Sequence, residues 1–220
     1  MKIYCVLPAY NEQRRIGEVL KKLKFLGYNI VVVDDGSRDD TEALARSESV
    51  VVIKHFINRG QGAALETGNQ YALAQGADVI VHFDADGQFF AEEIKDVIEP
   101  LIKGEAEAVF GSRFMGKPNN MPAFKKNFIM PIGRMFNRAV LGVETTDPQS
   151  GFRAMTAEAW KKIKIEQNKM AHASEILFKA HKLGLKIKEV PITVIYHDFG
   201  QRFSGGIRIF KDLLLAKLMK

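Results

Sequence analysis

Two aspartates separated by one residue, Asp84 and Asp86, follow a short apolar run and precede a glycine. If residues 79–83 form a strand that ends there, both carboxylates project to the same side, because side chains alternate along a strand. Two such carboxylates repel each other unless a cation lies between them. Mg²⁺ commonly takes one or two protein carboxylates and completes its coordination with water and substrate phosphates. The pair therefore predicts a metal-diphosphate site, with a solvated acidic turn as the alternative.

The composition is typical of a soluble globular protein with an excess of basic residues. Of 220 residues, 46% are hydrophobic and 26% are charged, and the formal net charge is +6. That charge favours anionic partners such as nucleotide phosphates, acidic lipid or nucleic acid. The one cysteine, Cys5, excludes a disulfide within the chain and fits a reducing cytosol. No run approaches the ~20 apolar residues of a membrane-spanning helix, and the first apolar run is too short for a signal peptide.

The spacing of apolar residues predicts strands that alternate with helices. This alternation is typical of βαβ units around a mostly parallel sheet. The predicted strands are 3–7, 29–33, 50–54, 79–83, 108–111 and, late in the chain, 187–196. The predicted helices are 11–26, with Asn11 as its N-cap, 39–47, 61–74, 92–103, 158–164 and 172–183, and residues 147–153 are predicted to be a loop.

Polar clusters follow four of these strands, and ligands of open parallel sheets bind outside the carboxyl ends of the strands. The clusters, at 8–12, 34–37, 84–86 and 111–113, are therefore expected to meet on one rim. There Tyr10 offers a ring for a base. Glu12 offers an acceptor for ribose or base groups, or else a first-turn carboxylate that complements the helix dipole. Asp35 accepts a base N–H or is a plain turn residue, and the N-R-G-Q-G run at 58–62 forms an anion site or only a turn.

Six motifs in order resemble the family 2 glycosyltransferases of the GT-A fold, in the subgroup similar to polyprenyl-phosphate (dolichol-phosphate) mannosyl- or glucosyltransferases. The resemblance covers about residues 3–196. The matching segments are L-P-A-Y-N-E at 7–12, V-V-V-D-D-G-S-R-D-D-T at 31–41, N-R-G-Q-G-A-A at 58–64, D-A-D-G-Q at 84–88, G-S-R at 111–113 and D-P-Q-S-G-F-R-A at 147–154.

The resemblance implies an α/β fold of GT-A type, a Rossmann-like three-layer sandwich with a mostly parallel central sheet. It implies a single domain over residues 1–220, with a nucleotide-sugar-binding half at 1–113 and an acceptor half at 114–220. It also implies Mg²⁺ or Mn²⁺ as cofactor, held by Asp84, Asp86 and Gln88. The implied nucleotide-sugar site comprises Pro8, Tyr10, Glu12, Asp35, Gly62, Asp84, Ala85 and Asp86.

Attack opposite the leaving nucleoside diphosphate inverts the anomeric carbon, and a sugar hydroxyl would need a general base for it. Asp147 is the first candidate, Glu175 the second and His172 the third, although Glu175 is equally well a helix-surface carboxylate. A polyprenyl phosphate is already anionic and needs cations instead, because arginine forks match phosphate oxygens. The candidate acceptor-phosphate ligands are Arg113, Arg134 and Arg202.

Basic and apolar residues interleave over 121–141 and again over 207–220. Such segments are typical of interfacial helices on anionic lipid, or of helices packed on the sheet with a basic outer face. The expected location is therefore the cytoplasm or the inner face of the cell membrane as a peripheral protein. The loop at 200–206 lacks the lysine of the R-x-x-G-x-S-K-like loop found in the lipid-linked subgroup, and the Q-x-x-R-W motif of processive synthases is absent.

The prediction is an inverting, metal-dependent glycosyltransferase that moves a hexose from GDP-mannose or UDP-glucose to a polyprenyl (dolichyl) phosphate. A soluble sugar or glycan acceptor is the alternative. A nucleotidyltransferase would carry a glycine-rich loop after the first strand, where this chain has residues 8–12. A basic nucleic-acid-binding protein is a distant alternative, because an acidic rim repels a phosphate backbone. Donor base, sugar and oligomeric state stay open.

Overall fold

The computed structural model describes residues 1–116 and 145–195, which form a central sheet between two layers of helices. The strands are β1 (Ile3–Ala9), β2 (Asn29–Asp34), β3 (Val51–Lys54), β4 (Val79–His82), β5 (Ala108–Ser112), β6 (Arg153–Thr156) and β7 (Ile187–Pro191). The helices are α1 (Ile16–Phe25), α2 (Thr41–Ser47), α3 (Gln61–Ala74), α4 (Ile94–Ile102), α5 (Ala157–Lys162) and α6 (His172–Lys182), and a 3₁₀ turn (Ala91–Glu93) precedes α4.

The sheet has the strand order β3-β2-β1-β4-β6-β5-β7. Strand β6 runs antiparallel to both of its neighbours, and the other pairs are parallel. Strands β1, β2 and β4 are near-continuous apolar runs because helices cover both faces of the sheet. The predicted mostly parallel sheet is confirmed. The carboxyl ends of β1, β2, β4 and β5 therefore share one edge, and β6 begins at that same edge.

A hydrophobic core lies on each side of the sheet. On one side the apolar faces of α1, α2 and α4 pack through residues such as Leu20 and Ile94. On the other side α3, α5 and α6 pack through Leu65, Trp160 and Ile176. Helix α3 approaches β1 so closely that a Cβ atom on Gly68 would collide with the side chain of Val6. This arrangement confirms the predicted three-layer sandwich.

Three element predictions need correction. Helix α1 begins at Ile16 and not at residue 11, and Asn11 is not its N-cap: its φ of 58° is left-handed, and its side chain accepts a hydrogen bond from the Arg38 amide instead. Strand β6 was missed, because the four residues R-A-M-T carry little apolar pattern. The last strand ends at Pro191, and an isolated bridge between Phe89 and Val194 follows it.

Several predictions fall outside the described residues. The basic and apolar segments at 121–141 and 207–220 lie there, as do Arg134, Arg202 and position 196. The division into two halves at residue 113 stays a prediction. In the part of the chain that the structure describes, helices are all too short or too polar to cross a membrane.

Candidate active site

The loops that follow β1 and β2 are tied together at the rim of the sheet. The Glu12 amide donates to the Thr41 hydroxyl (2.7 Å), and the Asp35 amide donates to the carbonyl of Ala9 (2.8 Å). Pro8 is buried within β1, whereas Tyr10 just beyond it is 42% exposed. The backbone of the rim is thus fixed while the ring of Tyr10 remains accessible to a ligand.

Asp84 and Asp86 follow β4, as predicted, and act as one electrostatic unit. Asp84 keeps some exposed surface, yet its carboxyl group lies among protein atoms. This burial, and then the charge of Asp86, raise the pKa of Asp84 to about 7. The Gln61 side chain donates to one Asp84 oxygen (3.0 Å), and the Gln88 amide donates to Asp86 (3.0 Å). Ala85 between them is buried.

Glu12 joins this acidic pair from the neighbouring loop. Burial and then the charge of Asp86 raise its pKa, and Arg15 opposes that rise. Within residues 1–116 and 145–195, His, Cys, Asp and Glu side chains form no group of three able to hold a metal by themselves. A Mg²⁺ or Mn²⁺ ion that takes one or two carboxylates here and the rest of its coordination from a substrate diphosphate fits this donor set. It would also relieve the repulsion between Asp84 and Asp86.

Asp35 lies at the carboxyl end of β2 and is occupied by the protein itself. Its carboxylate accepts hydrogen bonds from the amides of Arg59 (2.9 Å) and Gly60 (2.7 Å) and pairs with His55 Nδ1 (2.7 Å). Its side chain is 3% exposed. The amides of the 58–62 run, which were predicted to form an anion site or only a turn, therefore bind the Asp35 carboxylate. Its contact with a nucleotide base stays a prediction.

The glycines of the 58–62 run make room for another backbone segment. The Gly62 amide donates to the carbonyl of Asn168 (2.9 Å), and a Cβ on Gly60 or Gly62 would collide with the carbonyl oxygen of Asn168 or Gln167 respectively. Gly60 also has a φ of 101°, which a side chain disfavours. Gly62, predicted to contact the donor, thus packs first against the protein, and its role in donor binding stays a prediction.

Glu175, the second candidate base, binds backbone. Its carboxylate accepts from the amides of Glu166 (3.1 Å) and Gln167 (2.8 Å) and pairs with Lys179 (2.8 Å). It therefore holds the segment that packs against the glycines at the start of α3. The structure does not bring Glu175 to the acidic pair.

Asp147, the first candidate base, forms a two-pronged ion pair with Arg113. Arg113 donates from Nε to one carboxylate oxygen (2.5 Å) and from Nη2 to the other (2.6 Å), and its amide also donates (3.1 Å). Asp147 is 1% exposed. The charge of Arg113 is close enough to Asp84 to lower its pKa. The pair therefore places a guanidinium beside the acidic site, and both carboxylate oxygens of Asp147 accept hydrogen bonds from it.

His172, the third candidate, is buried at the start of α6. Its Nδ1 donates to the carbonyl of Lys169 (2.8 Å), and burial lowers its pKa to about 4. It is therefore neutral at pH 7, and its ring is fixed by a backbone contact.

Two residues next to Asp84 had no assigned role in the sequence analysis. Arg153, at the start of β6, is 1% exposed, donates to the carbonyl of Ser150 (2.8 Å) and lowers the pKa of Asp84; burial lowers its own pKa to about 10. A Cβ on Gly151 would lie 2.5 Å from a carboxylate oxygen of Asp84. Both belong to the D-P-Q-S-G-F-R-A motif, so the sequence could have indicated that they belong to the site. No sequence motif pointed to Glu189 on β7, which binds residues 145–147.

Comparison with known proteins follows this geometry. The family model described as Glycosyl transferase family 2 matches residues 4–164. The chain is 37% identical to a UDP-N-acetylglucosamine–dolichyl-phosphate N-acetylglucosaminyltransferase of Methanococcus voltae, over 99% of this chain and 97% of that one. It is 33% identical to an undecaprenyl-phosphate mannosyltransferase of Micrococcus luteus, over 94% and 89%.

A solved structure gives the same fold. Glucosyl-3-phosphoglycerate synthase from Mycobacterium tuberculosis, in complex with Mn²⁺ and UDP-glucose, superposes with a TM-score of 0.76 at 20% identity, over 99% of this chain and 78% of that one. The predicted GT-A type fold is confirmed.

Proposed function

The chain belongs to glycosyl transferase family 2, and from that premise we propose that it transfers a hexose, with inversion, from a nucleotide-sugar to a polyprenyl phosphate. Two relatives that span nearly the whole chain carry names with dolichyl or undecaprenyl phosphate as acceptor. The proposed donor is GDP-mannose or UDP-glucose.

One observation carries this proposal: Arg113 is fixed by Asp147 at the rim, within electrostatic reach of Asp84. An acceptor that is already ionised requires a cation to hold it beside the donor. The planar guanidinium suits a phosphate, and the bond pair from Nε and Nη2 to Asp147 sets its orientation. This position supports Arg113 as the proposed ligand of such an acceptor.

The acidic pair would serve the donor. Mg²⁺ or Mn²⁺ held by Asp84 and Asp86, with Gln88 behind them, would stabilise the charge that develops on the departing diphosphate. Tyr10 would stack on the base, and Glu12 would accept from ribose hydroxyls. Gln61 and Arg153 would keep the Asp84 carboxylate oriented.

A phosphate acceptor makes a general base unnecessary. The geometry supports a mechanism without one, because both candidate carboxylates are bound to other groups. Asp147 is committed to Arg113, and Glu175 to backbone amides. We therefore assign Asp147 to holding Arg113, in place of the base role. The alternative, a soluble sugar or glycan acceptor, would require Asp147 to leave Arg113 before it could take a hydroxyl proton.

The test is a transfer assay with a panel of donors and acceptors. GDP-mannose, UDP-glucose and UDP-N-acetylglucosamine are each offered with a short-chain polyprenyl phosphate or with soluble sugars, in Mn²⁺ or in EDTA. Turnover that needs both metal and polyprenyl phosphate supports the proposal. Turnover with soluble sugars alone establishes the alternative acceptor.

A thermal-shift measurement runs beside the assay. A donor that binds the native state raises its melting temperature by mass action. If no nucleotide-sugar at several millimolar raises the melting temperature in the presence of Mn²⁺, the rim is not a donor site and the proposal fails.

A further inference from the structure

We propose that Glu189 on β7 is a positioning residue for the acceptor phosphate, acting through Thr146 and Asp147 on Arg113. The inference rests on the proposed function, because it assigns Arg113 to that phosphate. The hydrogen bonds of Glu189 reach Thr145, Thr146 and the Asp147 amide, next to the carboxylate that holds Arg113.

The carboxylate of Glu189 gathers the donors of one short segment. It accepts from the Thr145 hydroxyl (2.6 Å), the Thr146 amide (3.0 Å), the Thr146 hydroxyl (2.9 Å) and the Asp147 amide (3.3 Å). All four donors reach Oε1, and the Thr146 amide also reaches Oε2 (3.0 Å). A carboxylate carries no donor of its own, whereas the NH2 of an amide side chain would face that amide. The segment is thereby fixed immediately before the carboxylate that holds Arg113.

The same carboxylate also ends a chain of hydroxyl contacts that begins beside Arg113. The Phe114 amide donates to the Ser112 hydroxyl (3.2 Å), and the Ser112 and Thr146 hydroxyl oxygens are 2.6 Å apart. Because Thr146 gives its one hydroxyl proton to Glu189, Ser112 must donate to Thr146. Hydrogen bonds in such a chain strengthen one another. The residues on both sides of Arg113, Ser112 and Phe114, are therefore oriented from Glu189.

Glu189 can transmit this order because it is part of the sheet. It is paired in register with Phe110 of β5, the strand that ends immediately before Arg113. Arg113 is consequently held twice: through its own chain by β5, and through Asp147 by β7. A guanidinium must be placed to within about half an ångström to meet a reacting phosphate productively. This double attachment is a physical means of placing it.

Glu189→Gln tests the proposal. The amide retains size but removes the charge that strengthens all four hydrogen bonds, and its NH2 faces the Thr146 amide, which also donates to Oε2. We expect the KM for polyprenyl phosphate to rise roughly ten- to hundredfold, since small misplacements of a positioning group cost that much. The KM for the nucleotide-sugar, and the thermal shift produced by the nucleoside diphosphate with Mn²⁺, should stay within about twofold of wild type.

Glu93→Gln is the matched control. Glu93 also accepts from a backbone amide and a threonine hydroxyl, those of Thr193 (2.8 and 2.7 Å), which lies outside the 145–147 segment that holds Arg113. It reports what the loss of a similar contact does to the protein as a whole. The proposal is overturned if both variants change the same kinetic constants alike, or if Glu189→Gln alters the donor and acceptor constants equally.

Thr146→Val keeps the test valid if Glu189→Gln fails to fold. It removes the hydroxyl between Ser112 and Glu189 at nearly constant volume, and should raise the acceptor KM in the same direction by a smaller factor. An unchanged acceptor KM in this variant overturns the proposal. If wild type itself shows no turnover with polyprenyl phosphate, the proposed function fails, and this inference with it. Turnover in wild type with no acceptor-specific loss in the variants defeats only the role of Glu189.

Discussion

Asp84 and Asp147 are two carboxylates of one rim with opposite surroundings. Asp147 receives two hydrogen bonds from one guanidinium and is 1% exposed. Asp84 receives one neutral amide bond, faces a second carboxylate, and has a pKa raised to about 7 by burial and that neighbour. The charges of Arg153 and Arg113 lower the pKa of Asp84, but burial and Asp86 raise it by more.

The difference separates a charge used for structure from a charge kept for a ligand. A buried ion pair with matched geometry fixes its members, and removal of one partner is costly. Two neighbouring carboxylates without a matched cation destabilise the protein and gain most when a cation binds. The same residue type thus serves architecture at Asp147, whereas at Asp84 its surroundings suit the proposed cation.

The largest expected effect comes from removal of a carboxylate of the acidic pair. Asp86→Ala should lower turnover roughly a thousandfold, because a bound metal contributes several kcal/mol to stabilisation of the departing charge. The fold should persist, as judged by circular dichroism, since Asp86 supports no core packing. Near-normal turnover in a donor assay would contradict the assignment of Asp86 to the metal.

Asp147→Asn, at the other carboxylate of the comparison, should lower the stability of the fold. It removes the charge that Asp147 places against the Arg113 guanidinium, whose side chain is 15% exposed. Breaking such a pair costs about 3 kcal/mol or more, which lowers the melting temperature by roughly 6–12 °C in a chain of this size. A thermal melt that matches wild type would show that the pair contributes nothing.

Asp84→Asn should do the reverse and stabilise the metal-free protein. The folded pKa of Asp84, about 7, lies above its ordinary value of 3.8, so the folded state keeps a proton that the unfolded chain loses. Stability of wild type therefore falls as pH rises from about 4 to 7, by up to about 1.4 kcal/mol per pH unit, and then levels off.

Melting temperatures in EDTA at pH 5 and pH 8 measure this effect. The advantage of the asparagine variant should be larger at pH 8 than at pH 5 by roughly 5–10 °C, while its turnover is lost. An advantage that is equal at both pH values, or larger at pH 5, would show that Asp84 is not a carboxyl with a raised pKa.

The smallest effect is expected at Glu175, the carboxylate bound to backbone. Glu175→Gln weakens its contacts with the amides at 166–167 and removes the ion pair with Lys179, at a cost of about 1–2 kcal/mol. The shape of the pH–rate profile should not change. Loss of the acidic limb, the fall in rate at low pH that protonation of a general base produces, would restore Glu175 as the general base.

The sequence predicted the elements whose patterns are local. The runs of β1, β2 and β4 are buried on both sides, so their apolar character is continuous, and the polar clusters after them fall on one rim by topology alone. Asp84 and Asp86 were found because their spacing carries the chemistry. Strand β6 was not found, because its identity depends on the neighbours that a four-residue segment meets.

Partners of single side chains were beyond the reach of the sequence. Asp147 and Arg113 are 34 positions apart, and Glu189 is 43 from Thr146. Nothing in their local patterns distinguishes a carboxylate that binds a guanidinium or backbone from one that removes a proton. The prediction of a general base rested on residue type, whereas the structure shows which groups already hydrogen-bond to each carboxylate.

The central place of β6 has a consequence for how the chain is made. Strands β4 and β5 are separated by β6, so neither has its inner neighbour until residue 156 has been synthesised. A nascent chain that ends earlier leaves one edge of β4 and both edges of β5 unpaired, because β7 also follows β6 in the sequence. Unpaired edges invite pairing with other chains. Folding of the sheet also waits on contacts distant in sequence, a feature of slow-folding topologies. We therefore expect fragments that stop short of β6 to aggregate, and the donor half to depend on the later half for its solubility.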